Sequence, residues 1–178
     1  MFLRDLQMGT TVLVSAGARS LPGTTPAGSS EAPQITPDGH YVAFHSTAVF
    51  SVPGATNTSD IYVHDVSGST TVLASGYAPV AVGASRTAGL AVSFGHAIST
   101  NGLFVTYEAT RGSFATRTGG PFMIGPCIGA ILRYNVASGL TDTLSSNAAV
   151  PIGAPEDARN AVMTPDGGVV AFVGNAPT

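Results

Sequence analysis

Apolar residues fall in short runs rich in β-branched and aromatic side chains, each closed by Gly, Asp, Asn or Ser. Three closures share one form. Ile35–Ser46 sets Asp38-Gly39 between two such runs, Ile98–Ala109 sets Asn101-Gly102, and Met163–Gly174 sets Asp166-Gly167. Each predicts a tight β-hairpin. The acid or amide side chain tolerates left-handed backbone and bonds its own main chain, and the glycine has no Cβ to clash at positive φ.

A second hairpin form alternates with the first. Phe2–Asp5 leads through Gln7-Met8-Gly9 to Thr11–Ser15, Ile61–Asp65 through Ser67-Gly68-Ser69 to Thr71–Ser75, and Ile131–Asn135 through Ala137-Ser138-Gly139 to Thr141–Ser145. Glycines 39, 102 and 167 of the first form lie 63 and 65 residues apart. A period of that size, built from four short strands, is the signature of β-propeller blades with long loops. The expected class is therefore all-β, with two complete four-stranded blades and two terminal half-blades in one segment spanning 1–178. The outer half-blade is 1–15, the blades are 31–75 and 91–146, and the inner half-blade is 159–174. No window carries a 3.6-residue apolar stripe, so almost no helix is expected.

Stretches 16–31, 47–59, 76–90, 110–129 and 146–158 are rich in Gly, Pro, Ser and Thr and read as loops. In an up-and-down blade the tight turns fall on one side of the disc and the long connections on the other. Recognition is expected on the long-loop face, where connections are carried by a rigid scaffold.

Composition narrows the classes. The chain has 178 residues, is 44% hydrophobic and only 10% charged, with net charge -3. Its basic residues are all arginines, at 4, 19, 86, 111, 117, 133 and 159, and no basic cluster gives a footprint for nucleic acid. No apolar run reaches the roughly 18 to 20 residues of a membrane span, and Met1–Leu6 lacks the basic start and long apolar stretch of a signal peptide. A single cysteine, Cys127, excludes an intramolecular disulfide.

Thr36-Pro37-Asp38-Gly39 with Ala43-Phe44-His45-Ser46, then Asp60-Ile61-Tyr62-Val63-His64-Asp65, resembles the blade motif of the TolB-like β-propeller repeats. Thr164-Pro165-Asp166-Gly167 with Ala171-Phe172 repeats the likeness, and Phe2–Thr11 looks like a blade ending of that group. The middle unit departs from it, with Asn101 and Asn135 where the motif has Asp. The resemblance implies a bacterial periplasmic or extracellular propeller and leaves the activity open, because such repeats occur in adaptors, peptidase gating domains and carbohydrate-active enzymes. The phase of the repeat leaves two arrangements open. The chain is an internal segment of a longer product, or two copies form a homodimer that completes a six-bladed propeller, each N-terminal hairpin completing the partner's C-terminal one.

Candidate chemistry is sparse. Asp38, Asn101 and Asp166 are explained by their turns, and Asp5, Asp65 and Asn135 by local amide bonds, without any metal. His40, His45, His64 and His96 form no close ligand pair for zinc. Asn57-Thr58-Ser59-Asp60 reads as a turn into Ile61, with calcium and glycosylation as the alternatives. Cys127 reads as a small buried hydrophobe in an unusually apolar loop, 121–128. His45 and Glu108 occupy equivalent second-strand ends near the long-loop face and are the strand residues best placed to touch a ligand. Arg86, Arg111 and Arg117 come from two loops on that face, where they would meet an anionic ligand or an acidic partner.

Gly83-Ala84-Ser85-Arg86-Thr87 fails as a nucleophile elbow, and adjacent Glu156 and Asp157 would point apart on a strand. No catalytic residue, cofactor or metal ligand is therefore assigned. The expected function is a non-catalytic interaction module binding a protein or other macromolecule through its long-loop face. The alternative is the propeller portion of an exported peptidase or carbohydrate-active enzyme whose catalytic residues lie outside this chain.

Overall fold

The computed structural model describes residues 1–19, 28–50, 52–55, 59–83, 91–117, 120–145 and 158–174, with side chains at 18, 19, 49 and 112–128 outside that description. β1 (Phe2–Arg4) and β2 (Thr11–Leu13) form an antiparallel hairpin. β3 (Ala18–Arg19) pairs with β6 (Val49–Phe50), inside stretches expected to be loops. β4 (Ser30–Ile35), β5 (Tyr41–Ser46), β7 (Asp60–Asp65) and β8 (Thr70–Leu73) make a four-stranded antiparallel sheet in that order. β9 (Ala91–Ile98), β10 (Phe104–Arg117), β11 (Gly120–Asn135) and β12 (Thr141–Thr143) make a second, with the same order. β13 (Ala158–Met163) and β14 (Val170–Gly174) close the described chain as a hairpin. The fold is all-β and antiparallel, with one short helical segment. A 3₁₀ turn (Ala74–Tyr77) runs into α1 (Ala78–Ala81), a single turn started by Pro79, whose fixed φ suits a first helical turn.

Alternating side chains build three apolar seams. Val42, Phe44 and Tyr62 of the first sheet pack with Val14, Met1 and Leu3 of the N-terminal hairpin. Ala43, Ile61 and Val63, on the sheet's other face, meet Val105, Tyr107, Leu132 and Tyr134 of the second sheet. Ile131, on the far face of that second sheet, meets Ala158, Ala161, Val170 and Phe172 of the C-terminal hairpin. The strand period of two sends neighbouring residues to opposite seams. The result is an ordered stack of hairpin, sheet, sheet, hairpin. Each fully buried Val, Ile, Leu or Phe contributes about 1.5–3 kcal/mol, so these seams, not the turns, hold the layers together.

The repeated turns differ from the expected two-residue form. Gly39 N donates to Thr36 O at 2.8 Å, Gly102 N to Ser99 O at 3.0 Å, and Gly167 N to Thr164 O at 2.8 Å. Only the glycine is left-handed, with φ of 74°, 70° and 76°, whereas Asp38, Asn101 and Asp166 keep negative φ. Each is a wider turn with a glycine bulge. Pro37 and Pro165 supply the negative φ at the first corner of this wider turn. The hydroxyl opening each turn is the missed component. Thr36 donates to Asp38 Oδ1 at 2.5 Å and accepts from Tyr41 N at 3.0 Å, and Ser99 and Thr164 do the same with Asn101 and Phe104, and with Asp166 and Val169. These hydroxyl bonds hold the Asp38 and Asp166 carboxyls below the usual carboxylate range.

Two further features were not expected. The first strand of every repeat carries a left-handed bulge, at Ala32 (φ 54°), Gly95 (φ 58°) and Asn160 (φ 56°). Stretch 110–129 is also largely strand. β10 and β11 stay paired from Arg111 opposite Ile128 to Arg117 opposite Gly120, past the last pairing of β9 at Ala91 and of β12 at Thr143. The second sheet therefore carries a two-stranded arm of about 20 Å at the usual rise per strand residue.

Candidate functional site

Hydrogen-bonded polar side chains lie where one repeat meets the next, along the bulged first strands. Ser59 Oγ donates to Ser93 O at 2.6 Å, and Ser93 N donates to Ser59 O at 3.0 Å, clipping the end of β7 to β9. Ser59 has one hydroxyl proton, so the 2.7 Å bond from His45 Nε2 to Ser59 Oγ has the imidazole as donor. The other ring nitrogen, Nδ1, lies 3.5 Å from Glu31 Oε1. Gln34 spans the same seam, donating to His96 O at 2.7 Å and accepting from Ile98 N at 3.1 Å. His96 is buried, and burial lowers its pKa, with nearby His45 adding to the effect and the Ala43 and Ala32 carbonyls opposing it.

The next seam uses the equivalent position differently. Glu108 stands where His45 stands in the first sheet and is 5% exposed. Its Oε1 accepts from Asn160 N, the bulge of the C-terminal hairpin, at 2.6 Å. A Cβ on Gly95 would approach that same oxygen at 2.7 Å, so the bulge in β9 is kept bare to admit the carboxylate. Glu108 thus ties the bulge-bearing β13 directly to its neighbour, whereas His45 reaches β9 only through Ser59. A charge-assisted bond from a backbone amide to a carboxylate rigidifies the seam.

Of the five sequence-derived contact residues, His45, Glu108 and Arg111 have described side chains. His45 is half-buried near the end of β5, as expected, while Glu108 lies within β10 because that strand runs on into the arm. Arg111 donates from Nη1 to Gly83 O at 2.6 Å, anchoring the turn after α1 to the base of the arm. Arg86 lies outside the described residues, as does the side chain of Arg117 at the end of β10. The Cys127 side chain and Asn57-Thr58 lie outside them too. Asp60, the last residue of the calcium candidate, is buried and accepts from Ser75 Oγ at 2.7 Å. Among the described residues no group of three acids, histidines or cysteines is arranged to hold a metal, and no helix is long and apolar enough to cross a membrane.

One concavity was not anticipated. A groove of about 400 Å³ lies between the layers, lined by Leu73, Ala74 and Tyr77 on one side and Tyr134, Leu140 and Thr141 on the other. Its only hint in the sequence is the presence of apolar Tyr77 and Leu140 in connecting segments. Compared with models of known protein families, with curated proteins and with solved structures, the chain matches none.

Proposed function

We propose that the chain is a β-propeller segment of the TolB-like kind that acts as a non-catalytic interaction module, holding another macromolecule on the side of the long connections. The single observation that carries this reading is the congruence of the three repeats. Each has a bulge at the same place and the same turn of hydroxyl, acid or amide, and glycine, and the second and third stack alike on the repeat before them. A Cβ on Gly102 would overlap the Tyr41 ring of the repeat before it, and one on Gly167 would come within 2.5 Å of Phe104, the equivalent residue one repeat on. Such radial repetition makes a rigid support whose irregular parts are free to vary.

The β10–β11 arm leaves the sheet on the side opposite the tight turns and is the element best placed for recognition. Its second strand contains Pro121 and Pro126 in the portion paired only with β10, where a missing amide costs no ladder bond on the open side. The test replaces residues 112–128 by a short Gly-containing turn. Proteins captured by the wild-type chain would be identified, purified and titrated against both forms. At least tenfold weaker binding to the shortened form supports the reading, while equal binding, or no partner that binds in purified form, defeats it.

A further inference from the structure

The terminal hairpins are complementary halves of the sheet that the chain builds twice. In both four-stranded sheets the second strand pairs with the third: Tyr41 opposite Asp65, Phe44 opposite Tyr62, His45 opposite Ile61, and equivalently Phe104 opposite Asn135, Tyr107 opposite Leu132, Glu108 opposite Ile131. β13–β14 corresponds to the first two strands and β1–β2 to the last two. Among the described residues β14 pairs only with β13, and β1 only with β2. Within one chain they cannot meet, because the N-terminal hairpin packs on one side of the first sheet and the C-terminal hairpin on the far side of the second.

We propose that a second copy of this chain supplies the missing half, β14 of one copy pairing antiparallel with β1 of the other. The repeat fixes the register: Val169 opposite Asp5, Val170 opposite Arg4, Ala171 opposite Leu3, Phe172 opposite Phe2 and Val173 opposite Met1. This inference rests on the blade reading above.

Three independent features fit that pairing. Phe2 is 73% exposed and would gain the cross-strand neighbour that Tyr62 has in Phe44, whose rings stack 5.6 Å apart. Val169 and Val173, 66% and 58% exposed, share with Ala171 the face that its equivalent, Ala43, turns toward the next sheet. Finally, Gly102 and Gly167 each sit against a ring of the preceding repeat, whereas nothing lies within 4 Å of a Cβ placed on Gly39. The residue that would fill this space, by equivalence with Tyr41 and Phe104, is the second copy's position 169. Two such contacts join two copies into six blades' worth of strands, within the range of about four to eight at which blades close into a ring.

Cysteine trapping tests the register. In a Cys127→Ser background, Leu3→Cys with Ala171→Cys places the sulfurs on directly opposed residues. Leu3→Cys with Val173→Cys places them on a diagonal about 7–8 Å apart, too far for an unstrained disulfide. Circular dichroism of the reduced variants confirms that they fold. The expected result is a covalent dimer from the first pair and at least tenfold less from the second. Absence of cross-linking in a folded variant, or equal cross-linking by both pairs, overturns the proposal. As an independent check, Val169→Asp, at an exposed position in a single copy, should weaken self-association at least tenfold. Unchanged association of this variant also overturns the proposal. The arm-deletion experiment leaves β1 and β14 untouched, so failure of partner binding and failure of self-pairing are separable.

Discussion

Gly102 and Gly39 occupy the same place in the same turn, with φ of 70° and 74° and the same pattern of hydroxyl and carboxyl or amide bonds, yet their surroundings are opposite. Gly102 is pressed against Tyr41, while Gly39 faces open space. The local sequence builds the turn; the neighbouring layer decides how much the glycine matters. A residue can therefore be required twice at interior positions, once for its backbone and once for its lack of a side chain, and only once at the end of the stack.

Substitutions should separate those two requirements. Gly102→Ala combines left-handed strain of about 1–2 kcal/mol with overpacking of about 1–3 kcal/mol, so a loss of about 2–5 kcal/mol is expected in denaturant unfolding. Gly167→Ala should behave alike through Phe104. Gly39→Ala pays only the backbone part, about 1–2 kcal/mol in dilute single copies, and a loss equal to that of Gly102→Ala would remove the distinction between interior and end.

The seam between the two sheets should show itself through pH. Burial lowers the pKa of His96 below its ordinary 6.5, so below pH 6.5 the unfolded chain takes up a proton that the folded chain refuses. Stability is then fully present above pH 6.5 and falls as pH drops from 6.5 toward the lowered folded value. His64, also lowered mainly by burial, contributes in the same sense. Urea midpoints measured at pH 7.5 and pH 5.5 should fall for the wild type and fall less for His96→Gln. An unchanged slope would mean that the seam is not what excludes the proton.

The smallest effect is expected in the second hairpin form. Its left-handed position is Gly9 and Gly139 in two turns but Ser69 in the third, at φ 50°. Ser69→Gly relieves that strain while adding freedom to the unfolded chain, for a net gain of about 0.5 kcal/mol in the same assay.

The hairpins were readable because their signals are local. Asp-Gly pairs, acid side chains bonding the next amides, and runs of alternating apolar residues all act within a few positions, as Asp5, Asp65 and Asn135 do at Met8, Gly68 and Ser138. The bulges were not readable, because Ala32, Gly95 and Asn160 share a conformation without sharing a residue type. At Asn160 the bulged amide is held by Glu108 of another strand, which no local pattern signals. The arm was misread as a loop because Gly125, Pro121 and Pro126 look like breakers, a rule that holds for strands paired on both edges and relaxes where one edge is open. Of the candidate site, the equivalence of His45 and Glu108 followed from the period, but the bond of Glu108 to Asn160 of the next repeat depends on stacking that no local pattern encodes.

Among the described residues β1 and β14 each have one unpaired edge, and the mass of the wild-type chain in solution tests the proposed pairing of those edges directly. Sedimentation equilibrium at micromolar concentration should give about twice the 17.8 kDa of one chain, falling toward the single-chain value for Val169→Asp. A well-folded wild-type chain that stays at the single-chain mass across that range would contradict it.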